Sequence, residues 1–127
     1  MMKHILSLSL LLVLAACGGK PSADASLLGP ADFQTALAST PQAVLIDVRT
    51  PEEFTGGHID QAVNIDFKSP GFAEAFSAYD KTTPLFVYCQ KGGRSGKAAA
   101  QLKEMGFKVT DLQGGFSAWQ SAGLPAK

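Results

Sequence analysis

The sequence predicts an α/β domain built on a parallel sheet. Two observations carry that prediction. Residues 43–46 (AVLI), 85–88 (LFVY) and 109–112 (VTDL) are short runs of strand length, the first two apolar throughout and of the kind buried on both faces of a parallel sheet. Segments of helical character separate them, and strands alternating with helices over about 100 residues describe one α/β domain.

The elements follow in order. Residues 30–38 (PADFQTALA) read as a helix with Phe33 and Leu37 on one face. The strand at 43–46 comes next. Thr50, Pro51, Glu52 and Glu53 form a capping-box pattern, with Pro at the first helical position and Glu at the third. Residues 62–65 suit a short strand. Ser69 and Pro70 open a further helix carrying Phe72 and Phe76. The strand at 85–88 runs into Cys89, a Gly-rich turn, and a helix over about 94–105 with Gly106 as its C-cap. The strand at 109–112 precedes a last helix at 116–122, stopped by Gly123 and Pro125.

Composition removes several function classes. The chain has 127 residues, 11 Lys+Arg against 11 Asp+Glu, two Cys and two His. A balanced charge with Arg49 and Arg94 as the sole arginines argues against a nucleic-acid partner. Two Cys exclude a multi-bridge disulfide scaffold and a four-Cys zinc site. With His4 and His58 the only histidines, no metal and no other cofactor is expected.

Residues 1–16 have the layout of an export signal: Lys3, then an apolar run over 5–16. That run is shorter than the roughly 20 residues a membrane-spanning helix needs; a buried helix is the structural alternative. Leu14, Ala15, Ala16 and Cys17 resemble the lipobox of bacterial lipoproteins. The resemblance implies a diacylglyceryl thioether on Cys17 as the mature N-terminus. A secretory peptide with an incidental Cys is the alternative. Gly18 resembles the sorting pattern for the outer membrane of a Gram-negative host. The protein is then exported and held at a membrane facing the periplasm by its lipid alone, the acyl chains supplying the affinity. Residues 17–26 read as lipidated N-terminus and tether, and 27–127 as the domain, expected to be a monomer. Cys89 becomes the one free thiol in an oxidising compartment, a hazard unless it is used.

Cys89 stands where open α/β sheets bind ligands, at the C-terminal end of a buried strand. Gly92 and Gly93 let the following turn curl and aim N–H groups at one point, and the helix that starts there adds its unpaired donors. Lys91, Arg94 and Lys97 add positive charge. Such surroundings favour thiolate over thiol, and the same donors would bind an incoming anion. A Cys ending a strand, or a Gly-rich turn before a helix, is commonplace singly; in immediate succession they point to a nucleophile in an anion cradle. The string GGRSGK is not a phosphate-binding P-loop, because Lys91 stands where its first Gly is required and Ala98 where Ser or Thr is required.

The run Cys89, Gln90, Lys91, Gly92, Gly93, Arg94, Ser95 resembles the active-site loop of the rhodanese-like family, C-x-x-G-x-R-S. Asp47-Val48-Arg49, Glu52-Glu53-Phe54, Gly57-His58-Ile59, Ala62 and Asn64-Ile65 resemble the family's upstream motif. Gly114-Gly115-Phe116, Ala118-Trp119 and Ala122-Gly123-Leu124-Pro125 resemble its C-terminal motif. The resemblance implies a sheet of about five parallel strands flanked by helices on both faces. It also implies a thiosulfate sulfurtransferase (rhodanese-type) activity, with Cys89 as the catalytic nucleophile. Gln90, Lys91, Gly92, Gly93, Arg94 and Ser95 would hold a thiosulfate-like small anion. Sulfur would pass through a Cys89 persulfide to cyanide or a thiol.

Loop length separates this reading from a neighbour. Phosphatases with a Cys–Arg cradle resemble C-x5-R, whereas Arg94 follows Cys89 by five positions, a tighter loop. Gln61 replaces the Gly typical of the family; if that position takes positive φ, Gln61 strains the turn. His58 lies in a motif turn and is not expected to serve as the base. Asp47 and Arg49 are expected to pair or cap near a strand end, with shaping of the pocket as the alternative. Phe116 and Trp119 are expected to pack. Two other functions stand beside sulfur transfer: a membrane-anchored, non-catalytic module that binds an anion or a persulfide, and a disulfide-exchange protein, which the lack of a C-x-x-C partner disfavours.

Overall fold

Parallel pairing fixes the architecture. The computed structural model describes residues 25–127; the leader, Cys17 and most of the tether lie outside the described residues. Five strands, β1 (Ala25–Leu28), β2 (Val44–Asp47), β3 (Val63–Asn64), β4 (Leu85–Tyr88) and β5 (Val109–Leu112), form one sheet in the order β1-β5-β4-β2-β3. Every neighbouring pair is parallel. The helices are α1 (Pro30–Ala38), α2 (Pro51–Thr55), α3 (Gly93–Glu104) and α4 (Gly115–Ser121). This is the five-stranded α/β fold that the sequence motifs implied.

Side-chain alternation along the central strands builds two cores. Leu85 and Val87 of β4, with Ile46 of β2 and Val109 of β5, face Ala98, Ala99 and Leu102 of α3. Phe86 and Tyr88, with Leu45 and Leu112, face Phe33 of α1 and Phe116 and Trp119 of α4. Successive residues of a strand point to opposite faces. The parity of Leu85 and Val87 therefore carries Cys89 to the α3 side, where it is buried in the first core. Burial on both faces explains why residues 85–88 read as an unbroken apolar run.

Three sequence expectations need correction. Ala25 and Ser26, assigned to the tether by their small polar character, open the edge strand β1; Ala25 pairs with Val109, and the Ser26 hydroxyl lies 3.1 Å from that of Thr110. The helix expected from Ser69 is a series of turns ending in one 3-10 turn, Glu74–Phe76. Gly71 weakens a helix there. Tight i to i+3 bonds (Phe72 N–H to Ser69 O, 3.1 Å; Phe76 N–H to Ala73 O, 3.2 Å) aim the rings of Phe67, Phe72 and Phe76 at one another and at Phe107. Aromatic packing decides that segment. Third, α3 starts at Gly93 and its C-cap is Met105, with Gly106 (φ 100°) one residue beyond.

The capping box at α2 forms as read: Glu53 N–H donates to Thr50 Oγ1 (3.3 Å) and Thr50 N–H to Glu53 Oε1 (3.3 Å). Gln61 takes φ 70°, alone in that region among the described non-glycine residues. A left-handed conformation costs an L-residue about 1–2 kcal/mol, part of which glycine returns as unfolded-state entropy. Gln61→Gly is therefore expected to raise the melting temperature by about 4 °C without altering Cys89 reactivity. Thermal unfolding is the check; an unchanged or lower midpoint would show the turn to be unstrained.

Candidate active site: the Cys89 loop

Cys89 follows the last residue of β4, and the chain then turns back over its own sulfur. Gly92, in the left-handed region at φ 111°, directs its N–H at Cys89 Sγ, 3.0 Å away. Burial pushes the thiol pKa up. The polar groups of Ser95, whose hydroxyl donates to Gly92 O (3.3 Å), and the N–H groups of Gly92 and Lys91 outweigh it and leave the net shift downward. The stabilisation of negative sulfur is thus chiefly a ring of N–H and O–H donors at the start of α3.

A cavity of about 660 Å³ opens over the sulfur, lined by Cys89, Gln90, Lys91, Gly93, Arg94 and Lys97, and by Glu53, Phe67 and Lys68. The sequence-predicted residues therefore divide into two groups. Gln90, Lys91, Gly93 and Arg94 face the cavity, whereas Gly92 and the fully buried Ser95 lie outside its lining, Gly92 donating to the sulfur and the Ser95 hydroxyl to Gly92 O. Lys68, Lys91 and Lys97 are exposed and make no ion pair among the described residues.

Arg94 is already engaged. Its Nη1 and Nη2 donate to Glu53 Oε1 (2.6 Å) and Oε2 (3.0 Å). This bidentate bond from Arg94 holds the Glu53 carboxyl down at about 2, despite partial burial and with help from Thr50. One carboxylate thus caps α2 and orients the arginine of the sulfur loop. From the sequence Glu53 was a cap and a member of the upstream motif, with no role at the sulfur loop. The fixed distance between a capping box and a loop 41 residues later is tertiary information. Phe67 and Lys68 were missed because nothing local distinguishes them.

The rear of the loop is held by the other two motifs. Arg49 Nη1 donates to Gln90 Oε1 (3.0 Å), and Gln90 Nε2 donates to Ser117 Oγ (2.9 Å). Phe116 N–H and Ser117 N–H donate to the carbonyls of Cys89 (2.8 Å) and Gln90 (3.0 Å). Arg49 therefore both pairs with Asp47 and shapes the pocket. His58 does not line the cavity: its Nδ1 lies 2.9 Å from Phe54 O and its ring stacks on Phe54 at 3.8 Å. Asp111, which the sequence did not single out, is buried near α3 with Oδ1 lacking a hydrogen-bond partner, and burial raises its pKa. Among the described residues no three His, Cys, Asp or Glu side chains converge on a possible metal position.

A nucleophilic thiol inside a ring of donors, fronted by lysines, suits attack on an anionic electrophile. The Rhodanese-like domain family model matches residues 30–122. The chain belongs to the rhodanese-like family. It is 43% identical over 93 residues to Thiosulfate sulfurtransferase 16, chloroplastic, of Arabidopsis thaliana, covering 65% of this chain and 78% of that protein. It is 36% identical over 90 residues to a protein named Sulfurtransferase from Allochromatium vinosum, covering 70% of this chain and 82% of that one. The crystal structure of a rhodanese-related protein from Thermoplasma volcanium superposes with a TM-score of 0.71 at 25% identity, over 80% of this chain and 97% of that one.

In this rhodanese-like domain the approach of α4 to the loop depends on Gly115. At φ 64°, a Cβ there would lie 2.5 Å from Cys89 O and 2.6 Å from Gln90 C and O. Gly115→Ala must displace the loop or the helix. Positive φ and overpacking together give an expected loss of about 3 kcal/mol in urea unfolding, and slower alkylation of Cys89 at neutral pH. Wild-type stability and alkylation rate in this variant would contradict the contact.

Proposed function

We propose that this rhodanese-like protein is a sulfurtransferase that carries sulfane sulfur on Cys89. Thiosulfate, or a similar anionic donor, binds with its sulfonate toward Lys91, Arg94 and Lys97. The Cys89 thiolate attacks the outer sulfur. A Cys–S bond forms, the donor S–S bond breaks, and its electron pair leaves with sulfite. The product is Cys89–S–S⁻, whose outer sulfur carries the negative charge. An acceptor thiolate or cyanide then attacks that outer sulfur, taking it as a persulfide or thiocyanate and restoring the thiolate. No oxidant or reductant is consumed.

The observation that carries this reading is the Gly92 N–H set 3.0 Å from Cys89 Sγ, with Lys91 N–H and Ser95 near enough to help draw the thiol pKa down. These donors favour an anionic sulfur before transfer, and a persulfide is also an anion. The Glu53 carboxylate on Arg94 leaves Lys68, Lys91 and Lys97 as the positive charge of the mouth that is unpaired among the described residues. That arrangement suits a small divalent donor better than a neutral one.

We also propose that the protein is exported and anchored through acylated Cys17, a reading supported by the order of Lys3, the apolar run and Leu14-Ala15-Ala16-Cys17. Cys17→Ser should move the protein from the membrane fraction to the soluble fraction; retention in the membrane would count against the lipid.

Incubating the mature protein with thiosulfate should add the mass of one sulfur atom at Cys89 and release one equivalent of sulfite. Cys89→Ser should show neither. A wild-type protein that binds thiosulfate but gains no mass would replace the transferase with a binding module.

A further inference from the structure

The parallel sheet separates two ends of the domain. Ala25 is in register with Val109, Val109 with Leu85, and Leu85 with Val44, so the first residues of β1, β5, β4 and β2 stand in one row. The chain enters the domain at that row. Cys89 lies beyond the opposite end of β4.

The entering end carries a second lysine cluster. Lys108 precedes β5, Lys81 lies just ahead of β4, and Lys103 is in the last turn of α3, which begins at the Cys89 loop. All three are exposed, and with Thr82, Gly106 and Phe107 they line a cavity of about 380 Å³. Lys81 Nζ lies 4.1 Å from the centroid of the Phe107 ring. None of the three makes an ion pair among the described residues. Of the acidic neighbours in sequence, Asp80 is bonded to the Thr82 N–H (2.9 Å) and hydroxyl (2.8 Å), and Glu104 follows Lys103. The C-terminal carbonyls of α3 end here too, and their partial negative charge opposes a small anion seated in the cavity. Lysines spread around such a point suit a broad anionic surface better.

The tether makes the geometry restrictive. Eight Cα–Cα steps from Cys17 to Ala25 reach at most about 28 Å even when fully extended. A domain of this size is about 33 Å across. The tether therefore holds the entering end nearer to the surface that carries Cys17, and the far end reaches that surface only with the tether drawn out along the flank of the domain.

We propose that the lysine end formed by Lys81, Lys103 and Lys108 faces an anionic lipid surface, and that the Cys89 cavity opens away from it. The inference rests on the reading of Cys17 as a lipid anchor. Its consequence is that the sulfur donor and acceptor meet Cys89 from the aqueous phase, so the acceptor is a soluble species and not a membrane-embedded thiol.

The test uses the full acylated chain with Cys89→Ser, in phosphatidylcholine vesicles with and without phosphatidylglycerol and with nitroxide on some headgroups. A fluorophore is placed on Thr82→Cys or on Lys91→Cys. Headgroup quenching is expected to be about fivefold greater at position 82 than at 91. It should fall toward equality when phosphatidylglycerol is omitted, or when the three lysines become Glu, while the protein still floats with the vesicles. Equal or reversed quenching in a floating protein would overturn the orientation. Quenching indifferent to charge would overturn the role of the lysines. A Cys17 without acyl mass and a protein that does not float would instead overturn the anchor, and with it the reason for this end to meet a membrane.

Discussion

The structure depends most on the buried ion pair of Asp47 and Arg49. Arg49 Nε and Nη2 hold both oxygens of Asp47 at 2.7–3.1 Å, and both side chains are almost wholly out of solvent. The remaining donors reach outward: Nη2 to Gly57 O (2.7 Å) and Nη1 to Gln90 (3.0 Å), with the guanidinium 4.5 Å from the Phe116 ring centroid. Asn64 closes the circuit on the carbonyls of Asp47 and Arg49. One guanidinium thus ties the end of β2 to the turn before β3, the sulfur loop and α4. Removing either charge would strand the other in the interior, a loss of roughly 3–5 kcal/mol.

That circuit explains how a loop rich in glycine can be held still. Gly92 and Gly93 permit the curl, but they bring conformational freedom that binding would otherwise have to remove. The loop is clamped from outside instead. The α4 N–H groups take the carbonyls of Cys89 and Gln90, Arg49 takes the Gln90 side chain, and Glu53 takes Arg94. With its carbonyls committed to the rear, the loop turns N–H groups toward the sulfur. Negative charge on Cys89, as thiolate or as persulfide, then meets dipoles already in place. The lysines of the mouth act at longer range and in solvent, where they serve capture more than stabilisation.

The sequence carried the parts that are local. Residues 85–88 were legible as a doubly buried strand because all four are apolar, and the capping box at Thr50 because its spacing is a helix property. Cys89, the glycines and Arg94 were legible as one loop because they are contiguous. The edge strand was not: Ala25 and Ser26 are small and stand in a polar, Gly- and Pro-containing stretch, and what makes them a strand is β5 beside them. The aromatic turns at 71–76 looked helical because Phe72 and Phe76 have helical spacing; on the tighter turns found there the two rings still meet edge to face, 5.0 Å apart. Glu53 and Lys68 entered the site through chain crossings that no local pattern records.

The central claim is that backbone and hydroxyl donors, not the lysines alone, hold the sulfur negative. Titrating the Cys89 thiol by its thiolate absorbance, in the wild type and in Ser95→Ala, tests this most directly. A wild-type midpoint below the ordinary value of about 8.5, moved upward in Ser95→Ala and little affected by salt, is the predicted result. A midpoint at or above the ordinary value, or one that salt rather than Ser95 controls, would contradict it.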